Sequence, residues 1–497
     1  MACRLDLASV IAACLAVCII TDQTVATEWA QFRGPNCVGH GQQHPMLPIA
    51  FGPDKNVLWK CPLPHGISSP CVFGKRIFLT AFNKRQKQLQ VICVDRDRGK
   101  IVWQKSVAAE KIEKVHKSSS PANATAVANE QYVYFYFASC GMFCFDHEGN
   151  QVWHHELPCS KRFNGSGTSP ILAGDHLILN RDDDRENYLL ALDAKTGEMI
   201  WNSPHSGRGG FGEATPVVWN KQVVVHRTNE VSAYQLEDGK RVWSLPLNTT
   251  AASTPVVEGD ALYVAAWNNS GEVSQKASLP PYAKIIKQAD KDGDGELNRS
   301  EMPWGPKLLR RPELKGRKLG ADMPVKFCFD WLDANRDGKI NESEWQNAPA
   351  EIEARIKRSP HGMTAIQLDR SIEGVTPAIL WEVNKSVPEV PSPLVVGPHV
   401  YMIKNGGILT CIDKLTGKVQ YRRRLKTAGP YISSPVAVND SVITASMDGI
   451  ITVFRAGEEF EMISSTDMGE EIKATPAIAK GVLYVRTGTA LYAFQKR

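Results

Sequence analysis

SPILAGDHLILN (Ser169–Asn180), followed after a short loop by YLLALDAKTGEMIW (Tyr188–Trp201), decides the fold. The first piece reads as two short strands joined at Gly174-Asp175, and the second as two more joined by a turn over Asp193–Gly197. Apolar and polar residues alternate as strands require, and turn residues bound each run. In the second turn Asp193 and Thr196 can bond their own backbone, while Gly197 admits positive φ. The same four-strand pattern returns in TPVVWNKQVVVHR with VSAYQLEDGKRVW (Thr215–Arg227, Val231–Trp243). It returns again in SPLVVGPHVYMIK with ILTCIDKLTGKVQY (Ser392–Lys404, Ile408–Tyr421).

Working outward, a Ser/Thr/Ala-rich turn ending in proline precedes an apolar strand eight times, at Pro70, Pro121, Pro170, Pro216, Pro255, Pro393, Pro435 and Pro476. The spacings are 51, 49, 46, 39, 138, 42 and 41 residues, so removing about ninety residues from the long interval restores the period. A period of this size in strands and turns signals a propeller, with one four-stranded blade per unit. An aromatic closes most fourth strands: Trp103, Trp153, Trp201, Trp243, Trp381 and Tyr421. These read as anchors packed between neighbouring blades. The seventh unit lacks the tryptophan, and the eighth ends after three strands. Asn56-Val57-Leu58-Trp59-Lys60 supplies the missing fourth strand from the other end of the chain, closing the ring and removing free sheet edges. The expected fold is all-β, an eight-bladed propeller.

The units resemble the pyrroloquinoline-quinone-type (PQQ-like) propeller repeat, whose hallmark is A-x-D-x-x-T-G-x-x-x-W. Ala191–Trp201 matches it closely, and Cys411–Tyr421 matches apart from two substitutions. Trp29-Ala30-Gln31-Phe32-Arg33-Gly34-Pro35 also resembles the start of exported bacterial proteins of this type. The resemblance spans about 380 residues. The family includes quinoprotein alcohol dehydrogenases and non-catalytic propellers such as the outer-membrane assembly lipoprotein. The dehydrogenases carry a disulfide between adjacent cysteines, a Glu/Asn/Asp calcium site and a catalytic Asp. This chain has no adjacent cysteine pair, and Cys140 and Cys144 are a poor substitute, so PQQ is not expected as a cofactor.

The long interval holds two twelve-residue loops, DKDGDGELNRSE (Asp290–Glu301) and DANRDGKINESE (Asp333–Glu344). Calcium is a hard cation taking six to eight oxygens, which an EF-hand loop supplies from positions 1, 3, 5, 7, 9 and 12, with Gly at 6. Those positions hold Asp290, Asp292, Asp294, Glu296, Asn298 and Glu301 in the first loop, with Gly295 sixth. In the second they hold Asp333, Asn335, Asp337, Lys339, Asn341 and Glu344, with Gly338 sixth. Position 7 donates only its backbone carbonyl, so Lys339 is no objection. Leu297 and Ile340 at position 8 suit the short β-bridge of paired loops. Two calcium ions are expected. The first loop should bind more tightly, having four side-chain carboxylate ligands against three. Helices are expected over Pro281–Ala289, Lys326–Leu332 and Ser343–Lys357, with Pro303, Pro306 and Pro312 breaking the segment between.

The insertion, 271–361, falls between the second and third strands of blade five, which resumes at Met363–Asp369 and ends with Ala378–Val383. The propeller therefore comprises 27–270 and 362–497. Loops between second and third strands emerge on the same face as those linking one blade to the next, which puts the EF-hand pair on or beside that face.

Residues 1–26 read as a secretory leader: Arg4, then an apolar run over Leu7–Ile20, then Thr24-Val25-Ala26 for cleavage. Lipid attachment at Cys14 is the alternative. Periplasmic or extracellular residence follows, with no later membrane span. Nine cysteines remain after the leader: Cys37, Cys61, Cys71, Cys93, Cys140, Cys144, Cys159, Cys328 and Cys411. Nine is odd, so at least one stays unpaired. Cys37–Cys61 and Cys140–Cys144 are candidate pairs, but most of these positions read as small core fillers. The net charge of +5 comes without a basic run beyond Arg422–Arg424, read as a solvated strand edge. No nucleic-acid-binding signature occurs, and a monomer is expected.

On the face of the inter-blade loops lie Asn164-Gly165-Ser166-Gly167, Arg208-Gly209-Gly210-Phe211-Gly212-Glu213, His65, Lys117 and Glu471–Lys473. Asp182-Asp183-Asp184 reads as solvated loop charge, and His154-His155 as strand residues without a metal. The function expected is calcium-dependent binding or scaffolding of an envelope or extracellular protein. The alternative is an enzyme or small-ligand binder using the central face. A polar, concave central pocket with perturbed titratable groups would favour that alternative.

Overall fold

The structure is a computed structural model describing residues 28–162, 164–183, 186–205, 213–268, 276–310, 313, 322–358, 361–369 and 375–496. The proposed leader and Arg208–Gly212 lie outside the described residues, as does Asp184. Eight blades repeat around an axis, each an antiparallel set of one inner strand of two or three residues and three longer ones outside it, with one short parallel strand added to blade seven. In blade three these are Ile171–Ala173, His176–Asp182, Asn187–Asp193 and Met199–Pro204. Between third and fourth strands every blade carries a register shift at an equivalent place, such as Ala191/Leu192 in blade three and Cys411/Ile412 in blade six. A bulge sharpens local twist, and here it stands beside the aromatic that reaches for the following blade.

That aromatic makes one joint with the next blade. The indole N–H groups of Trp103, Trp153, Trp201 and Trp381 donate to His147, Ala194, Leu236 and Lys414 carbonyls at 2.9, 3.1, 3.0 and 2.9 Å. Each acceptor lies in the third-to-fourth turn of the following blade. The turn glycine lies against the ring: a Cβ on Gly239 would stand 2.5 Å from Trp201, and one on Gly197 2.6 Å from Trp153. Both glycines also need positive φ, 69° and 76°. Asp193 holds its turn by accepting the Lys195 and Thr196 N–H groups at 2.9 and 2.7 Å. The Asp, Thr-Gly and Trp of the repeat are thus two halves of an inter-blade joint. Truncating such a buried tryptophan costs about 3–5 kcal/mol.

Ring closure is as expected. Val57–Pro62 pairs antiparallel with Ala490–Phe494 as the fourth strand of blade eight. Trp59 then anchors to blade one through the Arg96 carbonyl at 2.9 Å, an anchor not among the six aromatics singled out from the repeat. In blade seven Ser464 opposes Val453 at the anchor position. The incoming chain compensates: the carbonyls of Ile49 and Phe51 accept the Ser464 and Thr466 hydroxyls, and Phe51 packs on Phe494 at 4.9 Å.

Blade two corrects one element of the period. Its inner strand is Val127–Ala128, preceded by Thr125-Ala126, so Pro121 lies in the loop before it. Alanine serves where the other blades use proline, since the interaction that recurs at this turn is made by the preceding hydroxyl residue, here Thr125.

The segment Trp29–Gly41 enters the propeller and closes one end of the axial channel. Trp29 and Val72 of blade one exchange backbone bonds of 3.0 and 2.8 Å, and Ala128 of blade two donates to Ala30 at 2.9 Å. Asn36 pairs with both backbone groups of Val218 in blade four, at 2.8 and 2.9 Å. The Arg33 guanidinium donates to Pro393 of blade six at 2.7 Å, and His40–Gly41 runs parallel to Val436–Val438 of blade seven. Arg33 is fully buried, and desolvation lowers its pKa to about 10.

The EF-hand pair interrupts blade five without disturbing it. Ala261–Ala266 and Gly362–Gln367 pair residue for residue, from Ala261↔Gln367 to Ala266↔Gly362, and Ile379–Val383 follows as the fourth strand. The module has its own core of Tyr282, Ile285, Phe329, Leu332, Trp345 and Ile352. Its helices span Tyr282–Ala289, Phe329–Leu332 and Glu342–Arg358. The expected helix over Lys326–Leu332 divides: Val325–Cys328 is a 3-10 turn, and only Phe329–Leu332 is α-helical. The proline-rich segment after the first loop is partly strand, with Lys307–Arg310 between Lys276–Ala277 and Asp322–Pro324. Glu313 ties the module to blade six through a buried ion pair with Lys404 at 3.0 Å.

Candidate functional site

On the face of the inter-blade loops the channel opens into a pocket of about 760 Å³. Its floor is a closed circle of hydroxyl residues, the one before the proline (Ala126 in blade two) in every blade. The backbone N–H of each donates to the hydroxyl of the next. Ser69 donates to Thr125 at 3.2 Å, Thr125 to Ser169 at 3.0 Å, Ser169 to Thr215 at 3.1 Å and Thr215 to Thr254 at 3.1 Å. Thr254 donates to Ser392 at 3.1 Å, Ser392 to Ser434 at 3.0 Å, Ser434 to Thr475 at 3.0 Å, and Thr475 back to Ser69 at 2.9 Å. All eight side chains are buried and line the pocket. Each bond contributes about 0.5–1.5 kcal/mol, so the circle both holds the blades together and faces a polar floor to the pocket. The Ser/Thr-Pro repeat was visible in sequence, but as turn chemistry. Only the constancy of the hydroxyl could have announced this role.

The walls combine charge and aromatic surface. Phe32 from the channel-closing segment lies among the lining residues, with Trp267 and Tyr431 from the propeller and Phe327 and Trp331 from the EF-hand module. The module therefore contributes to the pocket on the face expected from connectivity. Polar lining comes from His116, Asn123, Asn164, Asn405, Glu213, Glu389 and Lys473. Lys473 pairs with Glu471 at 2.7 Å, and Glu213 with Arg162 at 3.7 Å. Burial pushes Glu213 up to about 7, and burial with the Lys117 charge holds His116 below its ordinary value. Of the loop residues singled out in sequence, Asn164, Gly167, Glu213 and Lys473 meet here, while His65 and Lys117 are not among the lining residues.

Behind this wall lies a buried polar cluster that corrects the reading of Asp182-Asp183 as solvated charge. Asp182 sits 2.7 Å from the His205 Nε2, and Asp183 3.7 Å from Arg181, both carboxylates buried. The loop carrying them is held inward by the Arg181 and His205 side chains and by Arg162, which donates to the Asp182 carbonyl at 2.8 Å. Glu113, in the same cluster, is pushed up to about 8 by burial, against the Ser166 N–H bond that favours its ionised form. His154 stacks on Phe143 at 4.0 Å and bonds the Cys140 carbonyl, and His155 bonds the Gly197 carbonyl. The nine cysteines are unpaired, eight of them buried. Arg422–Arg424 lies on the outer strand Val419–Arg424, with Arg423 and Arg424 exposed.

The two EF-hand loops share one geometry. Glu301 folds back to accept the Lys291 and Asn298 N–H groups at 2.8 and 3.0 Å. Glu344 accepts the equivalent Ala334 and Asn341 N–H groups at 3.0 and 3.1 Å. Gly295 and Gly338 take φ of 84° and 85° at the sharp turn, and Leu297↔Ile340 forms the bridge between loops. Carboxylate oxygens of Asp290, Asp292 and Asp294 lie within 4.8 Å of one another. That convergence of hard oxygen donors fits a calcium ion. One contact was not legible from position-by-position matching. Lys339 Nζ of the second loop reaches Asp294 Oδ2 of the first at 2.6 Å, offsetting part of the first loop's charge advantage.

The family model described as outer membrane protein assembly factor BamB matches residues 49–180 and 185–278, and the EF hand model matches 283–302 and 325–348. BamB from Moraxella catarrhalis is similar in structure, with a TM-score of 0.52 at 11% identity over 89% of this chain and 97% of its own. A europium-containing methanol dehydrogenase gives 0.57 at 10% identity, over 95% and 98%. Quinohemoprotein alcohol dehydrogenase from Comamonas testosteroni gives 0.57 at 13% identity, over 95% and 81%. At these identities the likeness is one of fold, for the assembly factor and the dehydrogenases alike. No curated protein matches in sequence. The EF-hand match points to calcium binding.

Proposed function

Since the protein is a PQQ-like β-propeller carrying an EF-hand pair, we propose that it is an exported calcium-binding protein that takes a small ligand into its central pocket. The observation that carries this reading is the pocket itself: about 760 Å³, floored by buried hydroxyls and walled partly by the calcium module. Pockets of this size bury compact ligands, and a few placed polar groups fix their orientation. A scaffold that works through its outer surface has no need of such a cavity, so ligand capture is favoured over scaffolding. The leader-like residues 1–26 and the outer-membrane name of the matching family model support a location outside the cytoplasm. Among the described residues no helix is long and apolar enough to cross a membrane.

Two calcium ions would be held, one by Asp290, Asp292, Asp294, Glu301 and the Glu296 carbonyl, with Asn298 at position 9. The other would be held by Asp333, Asn335, Asp337, Glu344 and the Lys339 carbonyl, with Asn341 at position 9. When bound, each ion supplies charge neutralisation and a rigid centre that fixes the helices on either side of its loop. Calorimetry tests the assignment. Wild type should take up two ions, and Glu301→Gln and Glu344→Gln should each lose one. Lys339→Ala should tighten the first loop, because the ion no longer competes with an ammonium for Asp294. Wild type that binds no calcium, or uptake unchanged in both glutamine variants, would sink the proposal.

A further inference from the structure

Resting on the reading of the pocket as a ligand site, we infer that its ligand is a neutral carbohydrate of one or two rings, stacked against an aromatic wall shared by the propeller and the EF-hand module. The floor speaks first. Every hydroxyl in the circle accepts one N–H from its neighbour. Among the described residues, no hydrogen bond spends the proton of any of the eight. A hydroxyl has one donor and two acceptor lone pairs, so each floor residue still offers a donor and an acceptor. A ligand dense in hydroxyls uses both, whereas a carbonyl-only or hydrocarbon ligand leaves buried polar groups unmet at a cost.

The charges of the pocket disfavour an anionic guest. Lys473 is held by Glu471 and Glu213 by Arg162, while burial and the neighbouring Lys117 keep His116 toward its neutral form. An anion would find its lysine engaged and Glu389 facing it. The amides add directional groups. Asn405, a lining residue, accepts the Tyr431 N–H on Oδ1 at 2.8 Å, so its acceptor is engaged while its amide N–H groups are donors. Asn123 donates to Ser119 and Ser166, leaving its carbonyl oxygen as an acceptor.

The walls add flat apolar surface from Trp267, Tyr431, Phe327 and Trp331. A sugar ring presents C–H groups on its face and hydroxyls at its edge, which matches aromatic walls above a hydroxyl floor. Trp331 lies in the helix Phe329–Leu332, whose next residue is Asp333, first ligand position of the second calcium loop. The calcium module thus orders part of the sugar-binding wall.

The test is a thermal-shift and calorimetric screen of the calcium-loaded full-length protein. Defined sets of neutral mono- and disaccharides, amino acids, nucleosides, quinones and fatty acids serve as probes. The expected result is a saturable shift with saccharides. Trp331→Ala and Asn123→Ala should each weaken that binding about tenfold, the loss of one stacking or hydrogen-bonded contact. Calcium uptake should be unchanged in Asn123→Ala, which keeps the result readable if Trp331→Ala disturbs the module. Binding of another class alone, weakened by Asn123→Ala, overturns the carbohydrate assignment and leaves the pocket reading standing. Binding of no class overturns both. Saccharide binding untouched by either substitution puts the site elsewhere and overturns the inference.

Discussion

Replacing Thr215 with valine removes one link from the hydroxyl circle while nearly preserving side-chain shape. Thr215 Oγ1 is the acceptor for the Ser169 N–H at 3.1 Å, and both residues are buried. Valine leaves that buried N–H without its acceptor, a cost of about 1–3 kcal/mol. Serine keeps the acceptor and loses only a methyl group, about 0.8 kcal/mol. Thr215→Val should therefore be the more destabilising of the two, reversing the order that apolar burial alone predicts. The assay is urea unfolding at fixed calcium, comparing midpoints at constant m, joined to hydrogen exchange at the Ser169 amide. The amide should lose about tenfold or more in protection in the valine variant only, matching a loss of about 1.4 kcal/mol or more. Valine no worse than serine, with Ser169 equally protected in both, would refute the circle as a source of blade cohesion.

Two further outcomes are expected. Gly239→Ala should cost about 2–5 kcal/mol, from about 1–2 for the positive φ and about 1–3 for crowding against Trp201. In a Trp201→Ala background the part due to the indole should vanish, leaving the backbone part and the contact with Ser203 Oγ at 2.5 Å; an equal penalty in both backgrounds on urea unfolding would disprove the joint. The second concerns pH. Burial raises Glu113 to about 8, amid Arg162, Arg181, Asp183 and the Ser166 N–H, and raises Glu213 to about 7. A carboxyl whose folded pKa is raised contributes stability present below its unfolded value of 4.5 and lost as pH rises through the folded value. Between those limits stability should decline with pH, and Glu113→Gln should flatten the decline; a variant with the wild-type slope contradicts the burial argument.

Much of the architecture was legible because each repeat carries its own turn chemistry. Asp193, Thr196, Gly197 and Trp201 name a turn and an anchor within eleven residues of sequence, and the eight recurring Ser/Thr/Ala-rich turns count the blades. The closing strand at Val57–Pro62 was legible because the eighth unit lacked a fourth strand. The EF-hand ligands were legible because calcium fixes both residue type and spacing along one contiguous loop. Contacts between distant units were not. Seven of the eight links in the hydroxyl circle join residues 39 to 138 positions apart, and the last joins Thr475 to Ser69 across the whole ring. Asp182 and Asp183 looked solvated because local pattern shows neither the remote His205 that meets Asp182 nor the burial that turns the neighbouring Arg181 into a partner of Asp183.

The sequence by itself determined the repeat, the blade count, the insertion point and the identity of the calcium loops, since all of these are written in short-range periodicity and spacing. Tertiary structure alone decided what the units make together. Closing the ring turns eight ordinary hydroxyls into one floor, draws Trp29–Gly41 across the axis, and sets Phe327 and Trp331 of the module against the pocket. The physical reason is that a local turn constrains a backbone by its own side chains, whereas a pocket exists only where surfaces from separate blades converge and shut out water.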